Sequence, residues 1–331
     1  MKNTKVLFLC KDRGYGTSYG LFLSAKFVAL ALESKDVPSK VVSVIDGNSI
    51  NREVSQYKPT HVVFEALWVT PEKIRELVKL HPLVKWVVRV HSEIPFIAYE
   101  GIAFEWMFKY QTIHNTWVAS NSKVMSEDLK KVQINALYLP NIYFPAFSKT
   151  SNPDRECCKG RIDIGCFGAI RPLKNQLEQA VAAITFANKN DKKLRFHINA
   201  SRTEQSGNSV LKNIQYLFKG NVPHELVEHD WVKHEEFVDV VRRMDLGMQV
   251  SFSETFNIVT ADFVNNNIPI VVSEEVSWMP TWTKAKTTDI DDIVETLENC
   301  YNGRRIWIQR LNKICLCRYN KRSLDEWMSY L

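Results

Sequence analysis

The feature that most constrains the fold is an alternation of short apolar runs with stretches of helical spacing. In the first half, apolar runs of strand length occupy residues 5–10, 40–45, 61–64, 85–90 and 116–119. Helical spacing occupies residues 18–33 and 71–80, the second with Pro71 at an early position. Strands that alternate with helices predict a parallel sheet with helices on both faces.

The alternation then starts again after a polar segment. Residues 148–160 contain Pro153 and Gly160 and form the best candidate linker. Strands are predicted at 162–167, 194–198, 246–250 and 268–272, and helices at 176–188, 234–243 and 290–301, with 262–266 continuing another helix. A chain of 331 residues suits two domains of about 150 residues each. We predict an N-terminal domain at 1–147, a linker at 148–160, a C-terminal domain at 161–300 and a basic helical tail at 301–331 that packs toward the N-terminal domain.

Composition excludes several classes of protein. No stretch approaches the roughly 18 apolar residues of a transmembrane helix. The first apolar run ends in charged residues, which favours a strand over a signal peptide. The seven cysteines lack zinc-site spacing and indicate reduced thiols in a cytoplasmic protein, or in the host cytoplasm if the gene is phage-encoded.

The formal net charge is +6, and the excess is concentrated near the C-terminus. From residue 301 onward only Asp325 and Glu326 oppose seven basic residues: Arg304, Arg305, Arg310, Lys313, Arg318, Lys321 and Arg322. This basic charge has two possible explanations. The segment is either a solvated helix face or a surface for an anionic partner, such as a nucleic acid or a membrane.

Three loops that follow predicted strands carry residues suited to chemistry. The first contains Gly14 and Gly16 after the first strand, where glycine lets the backbone approach a ligand. Its spacing, G-x-G-x-x-x-G, is one residue longer than the dinucleotide fingerprint, so an NAD site is not predicted. A purely structural turn is the alternative. The second loop, residues 168–175, places Arg171 and Lys174 at a predicted helix start, where two cations suit a diphosphate. A solvent-exposed basic turn is the alternative.

The third loop, residues 251–262, contains Glu254 near the start of a predicted helix and Asp262 about two turns inside it. Carboxylates on one side of such a helix can accept hydrogen bonds from sugar hydroxyls. The alternatives are a neighbour of the helix cap for Glu254 and a solvated helix position for Asp262.

Together the three loops resemble those of the retaining GT-B glycosyltransferases of the GT4-like class, and the Leu-Pro-Asn segment 139–141 resembles the segment before that family's linker. Two positions depart from the pattern. The second acid is Asp262 instead of Glu, and Arg171 and Lys174 are one residue closer than usual. The resemblance implies an α/β protein of the GT-B fold, with two tandem Rossmann-like, doubly wound, parallel-sheet domains that face each other across a cleft.

The same resemblance implies roles for the loop residues. Arg171 and Lys174 would hold the donor diphosphate, and backbone N–H groups near Gly14 and Gly16 would approach the donor. Glu254 would accept bonds from the transferred sugar. The other implied donor-binding positions are Thr255, Phe256 and Asn257 through their N–H groups, Asp262 at the ribose, and Trp231 and Val232 at the base.

His91 ends the predicted strand 85–90, and the resemblance places a histidine of this kind near the transferred sugar. A structural role for His91 is equally open. Glu93 and Glu100 follow it as acceptor-side candidates. A base at either position would favour inversion. We expect retention instead, with the leaving phosphate taking the acceptor's proton.

No D-x-D-type metal motif stands out, so Arg171 and Lys174 are expected to stabilise the departing diphosphate without a metal. No cofactor is expected beyond the nucleotide-sugar itself, with UDP as the expected nucleotide. The oligomeric state is left open.

The expected acceptor is a hydroxymethylated pyrimidine in double-stranded DNA. Residues 91–106 are similar to segments of phage-encoded glycosyltransferases, and the basic tail suits a duplex whose base is flipped out. One alternative is a glycan or lipid of the cell envelope, although the sequence shows no helix rich in both lysine and exposed aromatic residues. Another is a non-catalytic nucleotide-sugar or nucleic-acid binding protein. The off-register glycines argue against an epimerase or a dehydrogenase.

Overall fold

A computed structural model describes residues 4–12, 19–144, 160–302 and 305–331. Gly14, Gly16 and nearly all of the predicted linker 148–160 lie outside these ranges. The chain divides into two compact units. One comprises Met1–Phe147 together with Tyr319–Leu331, and the other comprises Ser148–Arg318.

The first unit contains a six-stranded parallel sheet. Its strands are β1 (Val6–Lys11), β2 (Ser39–Val44), β3 (His61–Glu65), β4 (Lys85–Val90), β5 (Thr116–Ser120) and β6 (Leu137–Tyr138). Its helices are α1 (Tyr19–Glu33), α2 (Ser49–Tyr57), α3 (Pro71–Leu80), α4 (Ile94–Ile97), α5 (Ala103–Tyr110) and α6 (Lys123–Lys131). The strand order is β2-β1-β3-β4-β5-β6, so the direction of winding reverses between β1 and β3.

Both faces of this sheet are buried, which explains why β1 has a continuous apolar sequence. Leu7 and Leu9 point to one face, and Val6, Phe8 and Cys10 belong to a second core on the other. Alternate residues of a strand face opposite sides, so a single run supplies both cores.

The C-terminal residues complete the second of these cores. Trp327 is fully buried, and its ring lies edge-on to Phe8 with 5.6 Å between centroids. Its Nε1 donates to the carbonyl oxygen of Pro140 at 2.8 Å. The side chain of Asn320 pairs with both backbone groups of Tyr143, accepting from N at 2.9 Å and donating to O at 2.8 Å. The last helical turns are therefore an integral part of the first unit.

The second unit contains another six-stranded parallel sheet. Its strands are β7 (Arg161–Gly165), β8 (Lys193–Asn199), β9 (Glu225–His229), β10 (Leu246–Gln249), β11 (Ile270–Ser273) and β12 (Lys284–Ala285). The helices that follow along the chain are α7 (Gln176–Lys189), α8 (Gly207–Gly220), α9 (His234–Arg242), α10 (Ile258–Asn265), α11 (Ile290–Asn302) and α12 (Arg305–Tyr330). The strand order is β12-β11-β10-β7-β8-β9, and the winding reverses between β7 and β10.

Two glycines let α10 lie directly on the sheet at this reversal. Gly165 of β7 and Gly247 of β10 are paired in register. A Cβ atom on Gly247 would lie 2.6 Å from the ring of Phe263, and one on Gly165 would overlap the ring of Phe167 and lie 3.0 Å from that of Phe263. Contacts this short do not occur between unstrained atoms, so only glycine fits at these two positions. The pair sets the height of α10 above the sheet.

The sequence predicted most of these elements. The bounds of α3 agree with the prediction because Thr70 caps the helix, accepting from the N–H of Lys73, and Pro71 occupies its first turn. The elements that were not predicted are helices α2, α4, α5, α6 and α8 and strands β6, β9 and β12. None of the described helices is both long and apolar enough to cross a bilayer.

Candidate active site

The reversal point of the second sheet is where a ligand site is expected. In a doubly wound sheet, the loops that leave the carboxyl ends of the two strands flanking the reversal diverge and leave a crevice between them. Here those strands are β7 and β10, and their loops are residues 166–175 and 250–257. These loops contain two of the three sequence motifs.

The loop after β7 is held by hydrogen bonds from two buried asparagine side chains, Asn199 and Asn175. Gly168 has a φ of +116°, and its N–H donates to Asn199 Oδ1 at 2.9 Å. A 3₁₀ turn, Pro172–Lys174, follows and ends at Asn175, whose φ is +56°. The Nδ2 of Asn175 donates to the carbonyl oxygens of Val250 at 3.2 Å and Thr287 at 2.7 Å. The sequence placed Arg171 and Lys174 at a helix start, and the structure has a short 3₁₀ turn there, which Asn175 in the left-handed region separates from α7.

The loop after β10 is fixed by Asn257, a buried residue with a φ of +57°. Its Oδ1 accepts from the N–H of Thr260 at 2.9 Å and so caps α10, while its Nδ2 donates to Gln249 Oε1 at 2.8 Å. On the far side of the loop, Trp278 Nε1 donates to the carbonyl oxygen of Phe256 at 2.7 Å. Thr255 and Glu254 are thereby held just before the first turn of α10.

The two loops are tied together by one buried side chain. Gln179, in α7, donates from Nε2 to the carbonyl oxygen of Lys174 at 2.8 Å. Its Oε1 accepts from the N–H of Val250 at 2.9 Å. Gln179 is fully buried, so both bonds are shielded from water.

Lys174 and Glu254 form an ion pair across these loops, between Nζ and Oε1. Their side chains are 12% and 8% exposed. Lys174 also lies close to Gly168, since a Cβ atom on that glycine would be 3.8 Å from Lys174 Cε. A second carboxylate is close to the pair. Burial raises the pKa of Glu275, and the negative charge of Glu254 raises it further. The sequence motifs gave no sign of Glu275.

Arg171 has a different acidic partner from Lys174. Its Nη1 lies 3.2 Å from Glu204 Oε2, and Arg202 binds the other oxygen of the same carboxylate. The guanidinium of Arg202 lies 4.6 Å from the ring centroid of Trp231, and the backbone N–H of Trp231 donates to Ser201 Oγ at 2.8 Å. Glu204 therefore links Arg171, which was predicted to bind the diphosphate, to Arg202 beside Trp231. Trp231 and Val232 form the segment predicted to bind the base. Glu204 was missed because it lies in a turn without a motif.

Asp262 lies one turn into α10, not two. The helix begins at Ile258, because Asn257 is itself in the left-handed region and caps the first turn with its side chain. Asp262 is buried, and its Oδ1 accepts from His234 Nε2 at 2.7 Å. His234 is the first residue of α9, which follows the Trp231 segment. No motif in the sequence pointed to His234.

The first unit has its own cluster of charged groups at the carboxyl ends of β3 and β4. Glu65 is buried and accepts from Arg89 Nη1 at 2.9 Å and from His91 Nε2. Arg89 also donates to the carbonyl oxygen of Leu139 at 2.7 Å and to Asn141 Oδ1. A cation inside the apolar strand KWVVRV is a signal that a buried acid must lie near it.

This cluster fixes the protonation state of His91. Burial lowers the pKa of His91, and the adjacent Arg89 charge lowers it further, although Glu65 opposes both. Because Glu65 accepts from Nε2, that nitrogen carries the proton of the neutral ring. Nδ1 is left as the acceptor facing the Asn121 amide at 3.4 Å. His91 is thus a neutral imidazole held by its neighbours.

The acceptor-side candidates lie near His91 along the chain. Glu93 is buried immediately before α4, and its carbonyl oxygen accepts from the N–H of Phe96 at 3.0 Å. Glu100 is half-buried just after α4. Gly14 and Gly16 lie outside the described residues. Within the described ranges, no group of three or more His, Cys, Asp and Glu side chains is arranged to hold a metal ion.

Comparison with known proteins places the fold. No protein-family model matches the chain, and no curated protein matches it. Solved structures do. The chain is similar to HepE of Anabaena in complex with UDP and glucose, with a TM-score of 0.69 and 12% identity over 99% of this chain and 100% of that one.

Two further structures agree with this similarity. A UDP-forming α,α-trehalose-phosphate synthase from Burkholderia xenovorans gives a TM-score of 0.67 and 10% identity, covering 99% of this chain and 98% of that one. A glycosyltransferase from Rickettsia africae gives 0.67 and 10%, covering 100% and 98%. The two six-stranded parallel sheets with flanking helices are therefore the two Rossmann-like domains of a GT-B fold, as the sequence predicted.

Proposed function

We propose that this protein transfers a sugar from a UDP-sugar to a hydroxyl acceptor, with retention and without a metal. The observation that carries the proposal is the Lys174–Glu254 ion pair at the reversal point of the second sheet. In a nucleotide-sugar, the diphosphate is bonded directly to the sugar. A cation that binds the diphosphate and a carboxylate that accepts hydrogen bonds from the sugar hydroxyls must therefore be neighbours. Lys174 and Glu254 are such neighbours.

The loops around the pair supply the other contacts that the donor needs. Arg171 would add a second cation at the diphosphate, with Glu204 holding its guanidinium in place. The N–H groups of Thr255, Phe256 and Asn257 lie at the start of α10, where the helix dipole favours negative charge. Backbone N–H groups at Gly14 and Gly16 remain part of the proposal, from the sequence alone.

The nucleoside would extend from the diphosphate toward α9. Asp262, paired with His234, is proposed at the ribose, and Trp231 and Val232 at the base. The complexes of HepE with UDP and the name of the UDP-forming synthase support UDP as the nucleotide.

The chemical step follows from where charge develops. As the anomeric bond breaks, negative charge accumulates on the diphosphate, where Lys174 and Arg171 stabilise it. Release of Glu254 from Lys174 leaves its carboxylate to orient the sugar hydroxyls. In the proposed retaining reaction the leaving phosphate accepts the proton of the attacking hydroxyl. A general base at Glu93 or Glu100 would instead give the inverted product, so the anomer formed decides between the two.

The acceptor proposed from the sequence is a hydroxymethylated pyrimidine in DNA, with a cell-envelope glycan or lipid as the alternative. The support for DNA is the basic charge of residues 301–331, a charge that would serve an anionic lipid surface equally well. Mass spectrometry of hydroxymethylated duplexes and of simple glycan and lipid acceptors, each incubated with UDP-sugars, separates these acceptors. A non-catalytic binding protein would give no product and no donor hydrolysis in the same screen.

The test of the donor site uses Lys174→Ala and Glu254→Gln. Hydrolysis of the UDP-sugar is expected to fall by at least about 100-fold in each, the size of effect seen when one stabilising donor is removed from an active site. Lys193→Ala is the matched control, because Lys193 also pairs with a glutamate, Glu225, at 2.5 Å in the same unit but at an exposed position. Unchanged hydrolysis in Lys174→Ala would refute the proposal.

A further inference from the structure

Helix α12 carries an apolar stripe on its solvent side. Trp307, Leu311 and Ile314 are 63%, 40% and 44% exposed. Their spacing of four and then three residues places them on one face of an α-helix. A row of three large apolar side chains on the solvent side of one helix is typical of a surface that binds another protein or a membrane.

The same face continues as a row of cations. Arg310 lies beside Trp307, with 5.7 Å from its guanidinium carbon to the ring centroid. Toward the C-terminus the exposed basic residues are Arg318, Lys321 and Arg322. The opposite side of the helix is buried through Asn312, Leu316, Ser323 and Trp327. We call Trp307, Arg310, Leu311, Ile314, Arg318, Lys321 and Arg322 the outer face of α12.

The combination of residues narrows the class of partner. A nucleic acid would use the four cations but would gain little from Leu311 and Ile314, which offer neither charge nor an aromatic ring. A second copy of the chain would cover the apolar stripe, but matching outer faces would bring like charges together. An anionic lipid surface would bind both the apolar stripe and the cations. The apolar side chains would insert at the boundary of the acyl chains, and the cations would pair with headgroup phosphates. Tryptophan is also favoured at that boundary.

We propose that the outer face of α12 docks on an anionic membrane surface. The docking is peripheral, with the helix lying in the plane of the headgroups, because its opposite side is committed to the protein core through Leu316 and Trp327. The proposal does not depend on the donor chemistry, since it rests on exposure and charge alone.

The test is flotation of the full chain with vesicles. Vesicles of phosphatidylcholine with about one third phosphatidylglycerol are compared with vesicles of phosphatidylcholine alone, at low and high salt. We expect binding to the anionic vesicles only, and weaker binding at high salt because headgroup charges are screened. A duplex DNA of similar charge density is assayed in parallel.

Two variants separate the parts of the outer face. Replacement of Arg318, Lys321 and Arg322 by Gln is expected to weaken vesicle binding on the order of 100-fold, at about fivefold for each cation near an anionic surface. Replacement of Trp307, Leu311 and Ile314 by Ser is expected to weaken it at least about tenfold through lost apolar burial. All six residues are exposed, so an unchanged thermal midpoint is expected.

Matched controls replace exposed residues elsewhere on the protein. One control replaces three exposed apolar side chains by Ser, at Leu83, Val124 and Tyr216. The other replaces three exposed cations by Gln, at Lys58, Lys130 and Lys212. Both controls should bind vesicles like the wild type. UDP binding in solution should be unchanged in all four variants, which separates failure of docking from failure of the donor site.

Three results would overturn the docking proposal. One is equal binding to neutral and anionic vesicles or none to either. Another is binding to duplex DNA, lost in the Gln variant, without binding to vesicles. The last is self-association that the Ser variant abolishes, which would assign the stripe to a second copy of the chain.

Discussion

Asp262 Oδ1 accepts a hydrogen bond of 2.7 Å from His234 Nε2, and Asp262 is only 1% exposed. A carboxylate this deeply buried needs its donor, so the imidazole holds Asp262 in a single orientation. The pair also links the start of α9 to α10. The position that the resemblance assigned to a longer glutamate is thus taken by an aspartate and a histidine together.

His234→Ala is expected to lower the free energy of unfolding by about 3 kcal/mol, because it leaves a buried carboxylate without this partner. UDP affinity should fall by about tenfold if Asp262 binds the ribose, since the carboxylate loses its fixed orientation. Denaturant titration and calorimetry measure the two effects. His114→Ala, at an exposed histidine, is the control. A variant with wild-type stability would show that the pair does not hold Asp262.

Glu65→Gln is expected to lower the free energy of unfolding by about 3–5 kcal/mol, because the fully buried guanidinium of Arg89 loses its counter-charge. Glu72→Gln is the matched control. Glu72 pairs with Arg75 at 3.5 Å, but both side chains are largely exposed, and surface pairs contribute about 0–1 kcal/mol. Equal effects of the two substitutions in urea titrations would contradict this account.

Acidification is expected to destabilise the fold through His61. Burial lowers the pKa of His61 from 6.5 to about 4, with a smaller contribution from the charge of Lys85. The unfolded chain therefore takes up a proton near pH 6.5 while the folded chain does not, so stability falls as the pH falls from about 6.5 to 4.

The measurement is the free energy of unfolding at several pH values across that window. His61→Gln should reduce the slope of stability against pH and should leave stability at pH 5 closer to that at pH 7. His114→Gln is the control and should retain the wild-type slope. An unchanged slope in His61→Gln would assign the acid sensitivity to other groups.

Gly247→Ala is expected to lower the free energy of unfolding by about 1–3 kcal/mol, the usual cost of overpacking. The added Cβ atom would lie 2.6 Å from the ring of Phe263, which must then move away from the sheet together with α10. Gly101→Ala is the control, because a Cβ atom there has no neighbour within 4 Å. The thermal midpoint reports the difference, and Phe263→Leu should partly restore it in the double variant.

The sequence predicted the elements whose signals are local. The Thr70-Pro71 cap fixed one end of α3, and the continuous apolar runs identified most strands with both faces buried. Strand β9 was missed because ELVEH has two glutamates and is only half-buried at the edge of its sheet. Edge strands bury less surface, so their apolar signal is weaker.

The motifs could not predict hydrogen-bond partners that are distant in sequence. His91 was singled out, but Glu65 lies 26 residues away on the neighbouring strand. His234 and Asp262 are 28 residues apart and meet only when α9 and α10 pack. The apolar stripe on α12 was also missed. The spacing of Trp307, Leu311 and Ile314 fits either a buried or an exposed face, and only the folded chain shows that the opposite face is the buried one.

Gln179 couples the two loops of the candidate donor site mechanically. Its amide is bonded at one end to the backbone that carries Lys174 and at the other to the backbone that leads to Glu254. A displacement of either segment is therefore transmitted to the other through a side chain that cannot turn toward solvent. Mutations that shift one segment should consequently perturb the proposed diphosphate and sugar contacts by similar factors.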